Sequence, residues 1–450
     1  MSHAPLIISV SGLRGVVGKT LTPLVALEFA RAYATQIPDG PILVARDGRT
    51  TGPMIADAVR SGLAAMGRTV CDVGVAATPT VGVLVKTRGA AGAVQISASH
   101  NPPEYNGIKL FGGDGRVLTA VVGAKVAKAY QTGNIAWADY GQVSTAETIS
   151  DTITAHLEAV LGTVDVERIQ KCRFSVLLDS NHGAGAVLGR PLLERLGCKV
   201  VILGEDPTGR FSHPAEPTAD NLRSVLRNVR EANAAIGFCQ DPDADRLAVV
   251  DENGRYVGEE YTLALCLDHR LRQQVGLVVA NCASSRMSQD ITEKHGGTFL
   301  RSKVGEANVA DLMISESAVY GGEGNGGPID PKVGYVRDSF VGMAQILDAM
   351  AARGLSVSTL ADELPVYAIH KTKTTVASER TAAALQGVKA HYPEATASES
   401  DGLRLDWPGR WLLVRASNTE PIVRVIAEAG DIGEAKSMCE DATKVISACT

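Results

Sequence analysis

The chain has 450 residues, with 44 Lys plus Arg against 50 Asp plus Glu and a formal charge of −6; 45% of residues are apolar and 21% charged. Such a chain can bury a sizeable core, which excludes a disordered protein. The mild acidic balance, without a block of like charges, leaves no electrostatic footprint for nucleic acid or an anionic membrane, so an anionic substrate must meet locally clustered cations. The first 15 residues carry only a short apolar stretch, Leu6 to Val10. That is too short for a secretory segment, and no window offers the roughly 18 apolar residues needed to span a bilayer. The eight cysteines include no C-x-x-C pair, which fits reduced thiols. A soluble, cytoplasmic protein is expected.

One pattern recurs three times along the chain. An apolar strand comes first: Ile42 to Asp47, Phe174 to Asp179, Gly276 to Asn281. A helical stretch follows, then a strand opened by glycine: Gly67 to Gly74, Gly197 to Gly204, Gly296 to Gly305. The third element is a short apolar strand entering a polar loop: Ala93 to Ser99, Ala235 to Asp241, Ala318 to Glu323. Apolar strands alternating with helices predict α/β domains with mainly parallel sheets. In such sheets ligands gather beyond the carboxyl ends of the strands, where these three polar loops fall. Beyond residue 366 the pattern changes to an alternating strand (Ala368 to Val376), a helix through Ala382 to Val388, and two strands around a polar loop. The expected architecture is therefore three tandem α/β domains, 1–148, 149–256 and 257–366, and a smaller C-terminal α+β domain, 367–450.

The first polar loop contains Ser99, His100, Asn101, Pro102 and Pro103. The prolines fix φ and stop the ladder, so Ser99 stands at a rigid corner where its hydroxyl can act as a nucleophile, although a turn with a capping serine would look similar. Lys109, ten residues on, can fold back to supply a proton or stabilise phosphoryl oxygens. The second loop, Asp241-Pro-Asp-Ala-Asp-Arg246, sets three carboxylates at alternate positions. Extended backbone turns all three to one side, where they repel unless a cation intervenes; oxygen-only donors suit Mg²⁺. A solvated acidic turn, an EF-hand loop (which wants Gly where Arg246 stands) and the Asp-x-Asp of haloacid-dehalogenase-type phosphatases are the alternatives. The third loop, Tyr320 to Pro328, has five glycines around Glu323 and Asn325. A carboxylate and an amide there suit a pair of sugar hydroxyls, or else the segment is an ordinary flexible turn. In the fourth, Ser417, Asn418 and Thr419 lie between Arg415 and Arg424, a candidate phosphate cradle or a hairpin with two surface arginines. Arg14 adds a cation in a glycine-flanked turn.

Taken in this order, the loops resemble those of the α-D-phosphohexomutases: phosphoglucomutase, phosphomannomutase and phosphoglucosamine mutase. The resemblance covers essentially the whole chain and implies that the four domains surround one central cleft, each giving one loop. It implies that Ser99 is the phosphorylated serine and that Asp241, Asp243 and Asp245, with a phosphoserine oxygen, hold Mg²⁺. It further implies that Glu323 and Asn325 contact the sugar and that Arg415 to Thr419, with Arg424, grip its phosphate. Arg14, Lys109, His100 and Arg246 are expected near the transferred phosphoryl group. The implied reaction interconverts hexose 6-phosphate and hexose 1-phosphate through a hexose 1,6-bisphosphate, in a monomer or homodimer. Two departures bear on the sugar. Asn325 and Gly327 replace the Ser and His of the Gly-Glu-x-Ser-Gly-His loop found in many bacterial members, and Glu306 stands where the bacterial phosphomannomutase/phosphoglucomutase type has His. A carboxylate there would favour an amino sugar, hence phosphoglucosamine mutase.

Overall fold

Ile42–Arg46, Ser175–Asp179 and Leu277–Asn281 are runs of Val, Leu, Ile and Ala without polar alternation, and each becomes an interior strand of its own sheet. The computed structural model describes residues 5–9, 11–416 and 422–449, and the counts here are of these residues. From each such strand the chain passes through a helix to a second, parallel strand: Val70–Val75, Lys199–Leu203 and Thr298–Ser302. Another helix leads to a third parallel strand on the other side: Gly92–Ile96, Ile236–Gln240 and Tyr320–Glu323. A loop follows, and the chain returns antiparallel as Tyr105–Gly112, Leu247–Asp251 and Gly327–Ile329. The spatial order (return, third, first, second) is the same in all three sheets. The repeat read from the sequence is therefore present as topology, and the antiparallel return strands extend its parallel cores.

Gly67, Gly197 and Gly296 are not the first residues of strands. They take left-handed φ of 73°, 73° and 76°, and their amides donate to the carbonyls of Ala64, Glu194 and Glu293, closing the preceding helical turn. The first sheet has seven strands, with Ile7–Ser9, Gly12–Val16 and Ala146–Thr148 added to its edges. The second gains Tyr256–Gly258, so a division at 256 falls inside that strand.

The second and third units share one apolar core, in which Leu192 and Phe238 join Leu263, Phe340 and Leu347. The first unit has its own cores around Phe29 and Val44 and around Leu43 and Phe111. A sealed chain ties it to the others: Thr80 Oγ1 lies 2.9 Å from His156 Nδ1, and His156 Nε2 lies 2.7 Å from Asp338 Oδ2. The last unit is an antiparallel five-stranded sheet, Ala368–Thr375, Ile422–Ala429, Arg410–Ala416, Leu403–Trp407 and Thr396–Ser398. One face buries Val414, Val425 and Ala427 under its helices, while Trp411, Leu413, Ile426 and Ile369 on the other meet Cys282 and Val304 of the third unit. Ser417, Asn418 and Thr419 lie outside the described residues. All eight cysteines are free, and no helix among the described residues is long and apolar enough to cross a membrane.

Candidate active site

The loops after the three third strands touch one another. Ser99 is 2% exposed, and its Oγ donates to Asp241 Oδ2 at 2.7 Å, joining two loops 142 residues apart. Ser99 adopts φ 49°, a left-handed conformation that costs energy for a residue with a side chain and needs support from its surroundings. The same Oγ lies 3.3 Å from His100 Nδ1. Burial, with Arg246 and Arg14 nearby, depresses the His100 pKa to about 3, so this imidazole is neutral.

The three carboxylates of the loop 241–246 converge, but not through extended alternation as the sequence suggested. The loop is a tight turn in which Ala244 takes φ 55° and its amide donates to the Asp241 carbonyl at 2.9 Å. Asp241, Asp243 and Asp245 are each 0% exposed, and one oxygen from each lies within 4.8 Å of the others. Thr78 Oγ1 donates to Asp243 Oδ2 at 2.5 Å. Lys109 Nζ lies 3.1 Å from the same oxygen and 2.9 Å from Asp245 Oδ2, and Arg337 Nη2 donates to Asp245 Oδ2 at 2.6 Å. Burial pushes the Asp241 pKa well up, reinforced by Asp243 and Asp245. Burial acts the same way on Asp245, but Arg337, Lys109 and Arg246 outweigh it and hold that carboxyl below the usual range. Asp243 Oδ1 and Asp245 Oδ1 are buried without a hydrogen-bond partner. Unsatisfied, charged oxygens this close together are hard donors of the kind Mg²⁺ prefers, and the residues fit such an ion.

Cations ring the same space. Arg14 Nη1 donates to Asn101 Oδ1 at 3.1 Å. Its strand pairs with the return strand, placing Gly12 opposite Lys109 and Arg14 opposite Gly107. Burial lowers the Arg14 pKa, and the like charges of Arg246 and Arg337 add to that against the opposite pull of Asp243 and Asp245. The Arg246 amide donates to Asp241 Oδ1 at 3.1 Å, and its buried Nε has no partner. Burial also works against the charge on Lys109, yet Asp243, Asp245 and Glu306 outweigh it and keep the ammonium pKa above its ordinary value. Buried cations that repel one another favour an anion among them.

The glycine-rich loop is joined to the aspartate loop. The Leu247 amide donates to the Gly326 carbonyl at 2.9 Å, and a Cβ on Gly326 (φ 81°) would lie 2.2 Å from the Leu247 oxygen, so that position requires glycine. Glu323 is 4% exposed. Its Oε1 accepts from Asn281 Nδ2 at 2.6 Å and the Gly305 amide at 3.1 Å; its Oε2 accepts from Arg337 Nη1 at 2.7 Å and, at 3.5 Å, from Asn325 Nδ2. Arg337 Nε donates to Glu306 Oε2 at 3.0 Å. Burial raises the Glu306 pKa to about 7, and its buried Oε1 has no partner. In the last unit, Arg415 Nε donates to Asp401 Oδ1 at 2.8 Å, while Asp401 Oδ2 accepts from the Val304 amide at 2.9 Å. Register sets Arg415 beside Arg424 and Arg424 beside Lys373, three cations on the sheet face turned toward the third unit.

Family models for phosphoglucomutase/phosphomannomutase α/β/α domains I, II and III match residues 6–135, 154–254 and 259–367, and the model for the C-terminal domain matches 372–445. The chain belongs to the phosphoglucomutase/phosphomannomutase family. It is a phosphohexomutase, an isomerase that works by phosphoryl transfer. A Thermococcus kodakarensis protein named "Phosphoglucomutase/phosphomannomutase" is 37% identical over 447 residues, 97% of each chain. Another from the same organism, named "Probable phosphoglucosamine mutase", is 33% identical over 441 residues, again 97% of each. A solved phosphoglucomutase/phosphomannomutase family protein from Burkholderia thailandensis superposes with a TM-score of 0.85 at 27% identity, covering 98% of this chain and 97% of its own.

Sequence reasoning about this phosphohexomutase overlooked Arg337, Thr78, Lys373 and the Asp47–Arg49 pair. Arg337 precedes the helix Ser339–Arg353, which Asp338 caps by accepting from the Phe340 amide at 2.9 Å; a lone arginine before a capping aspartate carries no motif. Asp47 and Arg49 did carry a signal, since they follow the carboxyl end of the first central strand, where ligands and polar clusters gather.

Proposed function

We propose that the enzyme interconverts hexose 6-phosphate and hexose 1-phosphate through phosphorylated Ser99 and a hexose 1,6-bisphosphate, with glucosamine phosphates as the preferred substrates. The observation that carries this reading is the 2.7 Å hydrogen bond between Ser99 Oγ and Asp241, which places a hydroxyl at the mouth of a buried carboxylate triad. Asp241, Asp243 and Asp245 would hold Mg²⁺, which supplies charge neutralisation for a phosphoserine of about −1.5 to −2 charges beside three carboxylates. Arg14, Arg246 and Lys109 face the transferred phosphoryl oxygens and stabilise their charge. The neutral His100 imidazole, 3.3 Å from Ser99 Oγ, helps to orient that oxygen, and its depressed pKa makes it a poor proton acceptor beside the Asp241 carboxylate that already takes the hydroxyl hydrogen. Glu323 and Asn325 orient the sugar; the weak 3.5 Å contact between them is the one a hydroxyl displaces most easily. Arg415 and Arg424, with the 417–419 loop, take the phosphate already on the sugar, in a domain that hinges so that one site serves both orientations of the bisphosphate.

The preference for an amino sugar rests on Glu306, whose buried, unpaired Oε1 could receive an ammonium group. The 37% identity to a protein named phosphoglucomutase/phosphomannomutase favours the second reading, glucose and mannose phosphates. The domains are taken to divide near 148, 256 and 366. Incubation with glucosamine, glucose and mannose 6-phosphates, Mg²⁺ and catalytic bisphosphate, measuring isomerisation against phosphate release, tests both readings. Isomerisation fastest with glucosamine 6-phosphate is expected, and it should vanish in a folded Ser99→Ala variant. Near-wild-type turnover by that variant, or phosphate as the main product, contradicts the proposal.

A further inference from the structure

We propose that Arg49 is the positioning residue that holds Ser99 in place for phosphoryl transfer; the inference rests on reading Ser99 as the phosphoryl carrier. Arg49 follows the strand Ile42–Arg46 and is 1% exposed. A guanidinium has five N–H donors, and here each has an acceptor. Nε donates to Asp47 Oδ2 at 3.2 Å, Nη1 to the carbonyls of Pro102 at 2.8 Å and Tyr105 at 3.0 Å, and Nη2 to the carbonyls of Ser99 and Asn101, both at 2.6 Å. Four of the five acceptors are therefore backbone oxygens of the nucleophile loop. The sheet cannot align that loop, because the strand before it ends at Ile96 and the next begins at Tyr105. The carbonyls of Asn101 and Pro102 also precede prolines, which lack the N–H that a ladder needs.

Asp47 completes the grip. Its Oδ1 accepts from the Arg49 amide at 2.8 Å and its Oδ2 from Ser97 Oγ at 2.7 Å, while Ser97 Oγ accepts from the Ser99 amide at 2.9 Å. Ser99 is thus held at its amide through Ser97 and Asp47 and at its carbonyl through Arg49. Those are the two ends whose relative rotation sets its left-handed φ of 49°. Phe211, from the second domain, lies with its ring 5.1 Å from the guanidinium carbon. Arg49 reaches the reacting hydroxyl only through backbone, so it positions and does not react. Lysine is no substitute, since three donors on a single nitrogen cannot span four carbonyls.

The test uses the full-length enzyme as Arg49→Lys, Ser97→Ala and Ser99→Ala. It measures melting temperature, kcat and KM, and by mass spectrometry the rate at which hexose 1,6-bisphosphate phosphorylates Ser99. A displacement of about 1 Å costs about a hundredfold in such reactions, so folded Arg49→Lys should lose about ten- to a hundredfold in kcat and in phosphorylation rate. KM should stay within about twofold, the signature of lost transition-state positioning rather than lost binding. Ser97→Ala should show a smaller loss of the same kind. Folded Arg49→Lys with wild-type kcat and phosphorylation rate overturns the inference; if that variant does not fold, a folded Ser97→Ala with wild-type kcat does so. An active Ser99→Ala would instead remove the reading beneath it, so the two failures are distinguishable.

Discussion

Arg337 holds Asp245 of the aspartate loop, Glu323 of the glycine-rich loop and Glu306 with three different nitrogens, and it is 8% exposed. Removing it strands three carboxylates in a site where burial already pushes Glu306 toward protonation. Breaking a buried ion pair by deleting one partner costs about 3–5 kcal/mol, so Arg337→Met should lower stability by about that much in urea denaturation. An unchanged midpoint would mean that the three carboxylates do not depend on it. Residues of this kind explain what the sequence could and could not reveal. Ser99 and the aspartates stand in dense, unusual local strings and were legible. Arg337 and Thr78 contact residues far away in the chain, and Lys373 comes beside Arg424 only through strand pairing; nothing in their sequence neighbours reports this. The aspartates converge because Ala244 takes a left-handed turn, which an alternating pattern does not encode.

Among the elements, the three strand–helix–strand repeats were legible because continuous apolar runs end in polar loops. The return strands were harder to see, since Tyr105–Gly112 alternates weakly and Gly327–Ile329 is only three residues long. The segment around Phe211 that covers Arg49 has no regular structure and depends on side chains instead. The Ser212 amide donates to Asn181 Oδ1 at 2.8 Å. His213 Nε2 lies 2.8 Å from Asp179 Oδ2, and its Nδ1 lies 2.9 Å from the Pro214 carbonyl oxygen. Nδ1 also lies 3.4 Å from Asn181 Nδ2; burial opposes the ring's charge, but Asp179 outweighs burial and raises the pKa. Because the folded-state pKa is the higher one, this stabilisation is fully present below the unfolded value of about 6.5 and is lost as pH rises through the folded value. The stability difference between wild type and His213→Gln, measured by urea denaturation, should therefore shrink between pH 6 and pH 8.5. A difference that stays constant or grows would contradict this reading of the dyad.

At the scale of the molecule, the second and third domains share one core and are linked to the first through the sealed Thr80–His156–Asp338 chain. The C-terminal domain has a core of its own and meets the third mainly through the patch around Cys282, Trp411 and Leu413 and a few hydrogen bonds. One of these is donated by the Arg286 amide to Glu428 Oε1 at 2.8 Å, and another joins Asp401 to the Val304 amide. Native-state hydrogen exchange should accordingly show amides of Arg410–Ala416 and Ile422–Ala429 opening at lower free energy than those of Ile236–Gln240 and Leu277–Asn281. A single opening energy for all four strands would argue against an independently mobile C-terminal domain. The traffic of the phosphoryl group is measured directly by single-turnover transfer from enzyme carrying ³²P on Ser99 to unlabelled hexose 6-phosphate in the presence of Mg²⁺. The label should appear first in hexose 1,6-bisphosphate and then in hexose phosphate. Label that stays on the protein while unlabelled sugar isomerises, or that leaves only as inorganic phosphate, would contradict it.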